Sequence, residues 1–157
     1  VAGRRLAALG ATDLGFFVGP RLNAAGRLDD MSIGIECLLT DDPARARSLA
    51  VELDRLNSER RTIETRMQDD ALAIVRRMKF GEPGAKLPAG LCLYDESWHA
   101  GVVGLVASRV KEQVHRPVIA FAPADDGTVR GSARSVPGVH VRDVLEAVAT
   151  REPDLLE

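Results

Sequence analysis

The sequence of 157 residues is short of reactive and cross-linking groups. It holds two cysteines, Cys37 and Cys92, far apart and without a CxxC partner. That excludes a disulfide scaffold and a thiolate metal site, and both thiols are expected to be buried apolar fillers in a cytoplasmic protein. No run of ~20 apolar residues and no secretory leader occurs, so a membrane protein is excluded. The histidines are His99, His115 and His140, and no two stand at the i, i+3 or i, i+4 spacing that chelates a metal. GxSxG, a P-loop lysine and a GxGxxG after a strand are all missing. The paired acids Asp29-Asp30, Asp41-Asp42, Asp69-Asp70 and Asp125-Asp126 fall where helix caps and turns are expected. No residue reads as a nucleophile, general base or metal ligand. By itself the chain is expected to be catalytically silent and to bind no metal.

What remains is an ordinary soluble composition, with 45% hydrophobic and 28% charged residues. The length suits one domain, or two small ones sharing a connector. The first residue is Val1 rather than Met, and the chain is expected to be a piece of a longer protein. Its net charge of −2 argues against a nucleic-acid binder, but the charge is uneven. Between Gly101 and Arg142, six bases (Arg109, Lys111, Arg116, Arg130, Arg134, Arg142) face three acids (Glu112, Asp125, Asp126). A phosphate site needs one or two placed arginines, not a basic average.

Residues 1–9 read as a helix end stopped by Gly10. The stretch from Gly10 to Met31, rich in glycine and containing Pro20, reads as a packed loop with a short strand near Phe16–Val18. Ser32–Leu39 reads as a short helix. Asp41-Asp42-Pro43 is a helix start, because an Asp satisfies orphan amides and proline in the first turn sacrifices no hydrogen bond. From Ala46 to Met78, apolar residues recur at three-to-four spacing without Gly or Pro. That predicts a helix of about 36 residues, roughly 54 Å long, with Glu/Arg pairs on its outer faces. A helix so long in so short a chain reads as a strut between two bodies. The turn-rich segment 81–90 marks a boundary. Beyond it come a strand (90–95), a helix (101–115), strands (116–123 and 128–136) joined at Asp125-Asp126-Gly127, and a helix (141–150). This order predicts a small α/β layer domain with a right-handed first crossover.

Three islands carry residue types that are costly for packing alone. In Pro20–Arg27, Arg21 and Arg27 with Asn23 between them can offer fork donors and an amide to a phosphodiester backbone. The alternative is that Asn23 ties the loop to itself while the arginines pair with Asp29 and Asp30. In Trp98–Gly104, at a strand-to-helix junction, His99 can bond a phosphate and Trp98 can stack on a base. The alternative is a structural Trp with a capping His. In Arg130–Ser135, Ser132 and Arg134 lie two apart on a strand and so share a face, forming a phosphate clamp beside the space cleared by Gly131. The alternative is a solvated edge strand.

Taken together, GFFVGPRLNAAGRLDDMSIGIECLLTDD, LAVELDRLNSERRTIETRM, WHAGVVGLVASRVKEQVHRPVIAFAP and GSARSVPGVHVRDVLEAV resemble, in order, the RecJ family of single-stranded-DNA-specific exonucleases within the DHH phosphoesterases. The resemblance implies a fold in which residues 1–40 end a DHH catalytic domain. Residues 41–80 would form the connecting helix, and 88–157 a small mixed-sheet DHHA1-like domain incomplete at its C-terminus. It implies that the parent degrades single-stranded DNA 5′ to 3′, with Mg²⁺ or Mn²⁺, in DNA repair and recombination. Helicases or single-strand-binding proteins are its implied partners. The GSxRS signature, here Gly131–Ser135, implies that Ser132 and Arg134 grip the 5′ phosphate, with Ser135 in the same binding set. PRLNAAGR implies DNA contacts by Arg21 and Arg27. Two further readings are a sibling phosphoesterase acting on oligoribonucleotides or cyclic dinucleotides, and a non-catalytic nucleic-acid-binding module.

Overall fold

The computed structural model describes residue 3, residues 5–78 and residues 88–155. The chain divides into two compact units, Val1–Thr65 and Arg66–Glu157. Of the turn-rich boundary segment, only residues 88–90 lie within the described residues.

Among the described residues, the elements of the first unit are all helical. A 3₁₀ turn at Leu6–Ala8 stands where a helix end was expected. Gly10 does not stop a helix, because its backbone is extended (φ −113°, ψ 175°) and it opens α1 (Ala11–Asp13). Its N–H donates to the Asp13 carboxylate at 3.1 Å. From α1 the chain runs through a π-helical stretch (Leu14–Val18) into α2 (Gly19–Leu28). The loop and the strand near Phe16–Val18 are therefore corrected to helix. Glycine and proline misled because Pro20 falls in the first turn of α2, where a missing N–H costs least. The Gly19 N–H reaches back five residues to the Leu14 carbonyl, which carries the ladder across the join. α3 spans Ser32–Leu39 as the pattern predicts.

α4 spans Pro43–Arg77. The Asp42 carboxylate accepts from the Ala44 N–H at 2.9 Å, and its carbonyl accepts from the Ala46 N–H at 2.9 Å, which makes it the cap expected before Pro43. Ala24 and Ala25 of α2 pack with Leu53 and Leu56 of α4, and Leu22, Leu28, Ile33 and Cys37 close around them. α3 is tied to α4 at the surface by a two-pronged ion pair, Arg45 Nε to Glu36 Oε1 at 2.6 Å and Nη2 to Oε2 at 2.7 Å. Those bonds hold the Glu36 carboxyl below its ordinary range. Arg60, expected on an outer face, is instead buried with Asn57.

The second unit contains the end of α4, whose Met67, Ala71 and Val75 are buried at helical spacing. A three-stranded sheet follows in the order β1-β2-β3. β1 (Leu91–Tyr94) and β2 (Val118–Pro123) are parallel and joined through α5 (Val103–Val114), and β3 (Val129–Arg134) returns antiparallel to β2. α6 (Val141–Arg151) ends the unit. Alternation buries Leu91, Leu93, Val118, Ala120 and Ala122 on one face, with Val103, Val106, Ala107 and Val110 of α5. Cys92 and Tyr94 point to the other face and are exposed, so Cys92 is not the buried filler expected. Two glycines serve turns. Gly127 (φ +81°) closes the β2–β3 hairpin after Asp125-Asp126, and Gly138 (φ +84°) follows Pro137 in the turn bridging Val136 and Val139. α5 ends at His115, which takes the left-handed cap (φ 51°) that glycine normally fills. No helix of the described residues is long and apolar enough to cross a membrane.

Candidate functional site

Register decides where the residues of β3 point. Val118 pairs with Arg134 and Ala120 with Ser132. Residues directly opposite in an antiparallel pair share a face, so Ser132 and Arg134 lie on the α5 side of the sheet. The chain gives each a neutral partner. Arg134 Nε donates to Ser108 Oγ at 2.9 Å, and Nη1 donates to Ser132 Oγ at 2.9 Å and to the Ala133 carbonyl at 2.8 Å. No carboxylate pairs with Arg134 among the described residues.

The guanidinium lies against the first turn of α5. A Cβ built on Gly104 would stand 2.7 Å from Arg134 Nη2 and 2.9 Å from Ser132 Oγ. Gly104 is the second residue of α5, and the helix N-terminus has no side-chain cap. A cation beside the positive end of a helix is disfavoured by about 0.3–1 kcal/mol. An anion there would satisfy the guanidinium and the helix together. On the opposite face of β3, Gly131 makes room for the Phe121 ring, whose Cε1 would stand 2.6 Å from an added Cβ.

Ser135 lies one residue beyond the pair. Its hydroxyl accepts from the Val141 N–H at 3.0 Å, at the start of α6. His99 is exposed, and its Nδ1 accepts from the Gly101 N–H at 3.1 Å. This bond makes Nε2 the N–H donor of the neutral ring. Its neighbour Trp98 is 4% exposed and belongs to the core, so base stacking by Trp98 is corrected to packing.

The turn before His99 is built on Asp95, whose Oδ1 accepts from the Ser97 N–H at 2.9 Å and the Ser97 hydroxyl at 2.7 Å. The backbone bond first, then the hydroxyl, hold the Asp95 carboxyl below its ordinary value of 3.8. A depressed carboxyl stabilises the fold above the unfolded pKa, and that contribution is lost only as the pH falls through the folded one. We therefore expect the turn to survive mild acid. An NMR titration should place the Asp95 midpoint below 3.8, with Ser97→Ala raising it part of the way back. A wild-type midpoint at or above the ordinary value would contradict this.

In the first unit, Arg21, Asn23 and Arg27 all lie on α2. Arg21 Nε donates to Asp54 Oδ1 of α4 at 2.7 Å and Nη1 to the Phe17 carbonyl at 2.6 Å. Its partner is thus Asp54, not Asp29 or Asp30. Asn23 is exposed and Arg27 half-buried, and their i, i+4 spacing puts them on one helix face. Ser108 escaped the sequence reading, and Gly104 closed the second island without a role of its own, although a glycine inside a helix, costing about 1 kcal/mol, was a readable signal.

Among the described residues no three His, Cys, Asp or Glu side chains stand together as metal ligands.

Residues 87–154 match the DHHA1 domain model. The chain is 56% identical over 148 residues to the single-stranded-DNA-specific exonuclease RecJ of Salmonella typhimurium, covering 94% of this chain and 25% of that protein. Against the RecJ exonuclease of Escherichia coli the identity is 54% over 156 residues, covering 99% of this chain and 27% of the relative. The chain thus spans about a quarter of the length of these relatives. Among solved structures, Thermus thermophilus RecJ in complex with Mg²⁺ superposes with a TM-score of 0.72 at 34% identity, over 89% of this chain and 20% of that one. An exonuclease RecJ bound to manganese gives a TM-score of 0.67 at 34% identity, over 87% of this chain and 32% of that one. The chain belongs to the RecJ family, with its residues 87–154 matching the DHHA1 domain.

Proposed function

We propose that this chain is the strand-holding part of a 5′→3′ exonuclease acting on single-stranded DNA, and that Ser132 and Arg134 hold the 5′-terminal phosphate. One observation carries the reading. The Arg134 guanidinium is held by neutral oxygens against an uncapped helix start, with no carboxylate to neutralise it among the described residues. A terminal phosphate carries about −1.5 to −2 charges near neutral pH, against −1 for an internal diester. A clamp of this kind prefers an end to the middle of a strand, which supports 5′→3′ polarity.

The domain plan follows from the same family. Residues 1–40 end the catalytic domain, 41–80 connect, and 88–157 form the DHHA1-like domain. Exposed Asn23 and half-buried Arg27 of α2 add contacts to the strand, as does exposed His99. Arg21 serves mainly to brace α2 on α4, and Ser135 mainly to start α6. The complete protein uses a divalent ion, as the Mg²⁺ and Mn²⁺ complexes of its structural relatives support. Repair and recombination in the cytoplasm, with a helicase or a single-strand-binding protein as partner, complete the proposal. The test is degradation by the complete protein. We expect long 5′-phosphorylated single strands to be degraded far faster than dinucleotides, and a preference for dinucleotides would transfer the reading to the sibling phosphoesterases.

A further inference from the structure

We propose that Ser108 and Gly104 of α5 are positioning residues that set the pose in which Arg134 meets an anion. This inference rests on the clamp reading above. A free arginine carries about 2 kcal/mol of rotamer entropy, so a guanidinium that must recognise a phosphate gains from being fixed beforehand. Its five N–H groups are divided unequally here. Nε is taken by Ser108 Oγ, and Nη1 by Ser132 Oγ and the Ala133 carbonyl. The two hydrogens on Nη2 are left without a partner among the described residues, and Nη2 is the atom that lies over Gly104.

The Ser132 hydroxyl accepts from the cation and keeps its own O–H to donate, and accepting a charged donor strengthens that O–H as a donor. The ligand-facing edge is therefore Nη2 with the Ser132 O–H, beside the first turn of α5. Ser108 fixes the plane of the guanidinium from one side. Gly104 admits Nη2 to its place, since any Cβ there would come within 2.7 Å of it. The atoms displaced are side-chain ends, Arg134 Nη2 and Ser132 Oγ at 2.9 Å, and no backbone atom, so Gly104→Ala should move the pose of the pair without breaking the fold. Alanine also favours the helix by as much as about 1 kcal/mol.

The experiment measures, with the complete protein in metal-free buffer, binding of a single-stranded oligonucleotide bearing either a 5′ phosphate or a 5′ hydroxyl. The readout is the ratio of the two dissociation constants, together with Tm. We expect Ser108→Ala and Gly104→Ala each to reduce the phosphate preference about five- to tenfold, one charge-assisted contact in scale. Binding of 5′-hydroxyl DNA and Tm should hold, and Ser108→Thr should restore the preference by restoring the hydroxyl. Wild-type preference in both alanine variants, alongside its loss in Arg134→Ala, would overturn the positioning roles and leave the clamp intact. Wild-type preference in Arg134→Ala as well would overturn the clamp itself.

Discussion

Arg134→Ala in the complete protein should cut its affinity for 5′-phosphorylated single strands about 10- to 100-fold while leaving the fold in place. The magnitude follows from what is removed. Hydrogen bonds to charged groups contribute about 1.5–3 kcal/mol each, and Arg134 Nη2 lies beside Gly104 in the first turn of α5. The cost to stability should stay near 1 kcal/mol or below. The bonds lost are to Ser108, Ser132 and a backbone carbonyl, hydroxyl and carbonyl oxygens that water can serve in a half-buried site. Removing a cation from a helix N-terminus also returns some energy. Arg134→Lys keeps the charge but not the fork, and should recover part of the affinity. The salt dependence gives an independent check, because losing one phosphate contact on a single strand lowers the slope of log K on log salt by about 0.7. Equal degradation of 5′-phosphorylated DNA by Arg134→Ala and wild type would refute the clamp.

Much of this site was readable before any coordinates, because strand alternation is a strict rule. Two residues apart means one face, and that placed Ser132 with Arg134. Which face they share was not readable, since it depends on the pairing of Val118 with Arg134 across a hairpin. The start of α4 was also legible, because Asp42 and Pro43 act locally, through a cap and a fixed φ. Legibility failed where tertiary context overrides local preference. Glycines and Pro20 made residues 11–28 look broken, yet a π-helical turn absorbs them and Ala24 and Ala25 bury against Leu53 and Leu56. Arg21 could be read as a ligand donor or as a partner of Asp29 or Asp30, because local sequence does not name a guanidinium's neighbour. Only the three-dimensional neighbour, Asp54, shows its guanidinium engaged elsewhere.

Arg60 is the same kind of miss, and it leads to the largest expected change in stability. On the sequence it is one more charge in a row of alternating signs, which normally marks a solvated face. In the fold the Arg60 side chain is 11% exposed and the Glu64 side chain 19%, with Arg60 Nη1 donating to Glu64 Oε2 at 2.5 Å. Arg60 Nη2 donates to Asn57 Oδ1 at 3.1 Å, and Asn57 is 3% exposed. Surface pairs at this spacing contribute a few tenths of a kcal/mol, but removing one partner of a buried pair strands the other charge. Glu64→Ala should therefore cost about 2–3 kcal/mol, against a few tenths for Glu59→Ala, whose pairing with Arg55 is exposed. Replacing Arg60 and Glu64 together by leucine should recover most of the loss, since the desolvation cost disappears with the charges. Urea denaturation of the four proteins measures the difference. If Glu64→Ala proves no more damaging than Glu59→Ala, Arg60 is solvated after all and α4 carries no buried ion pair at this turn.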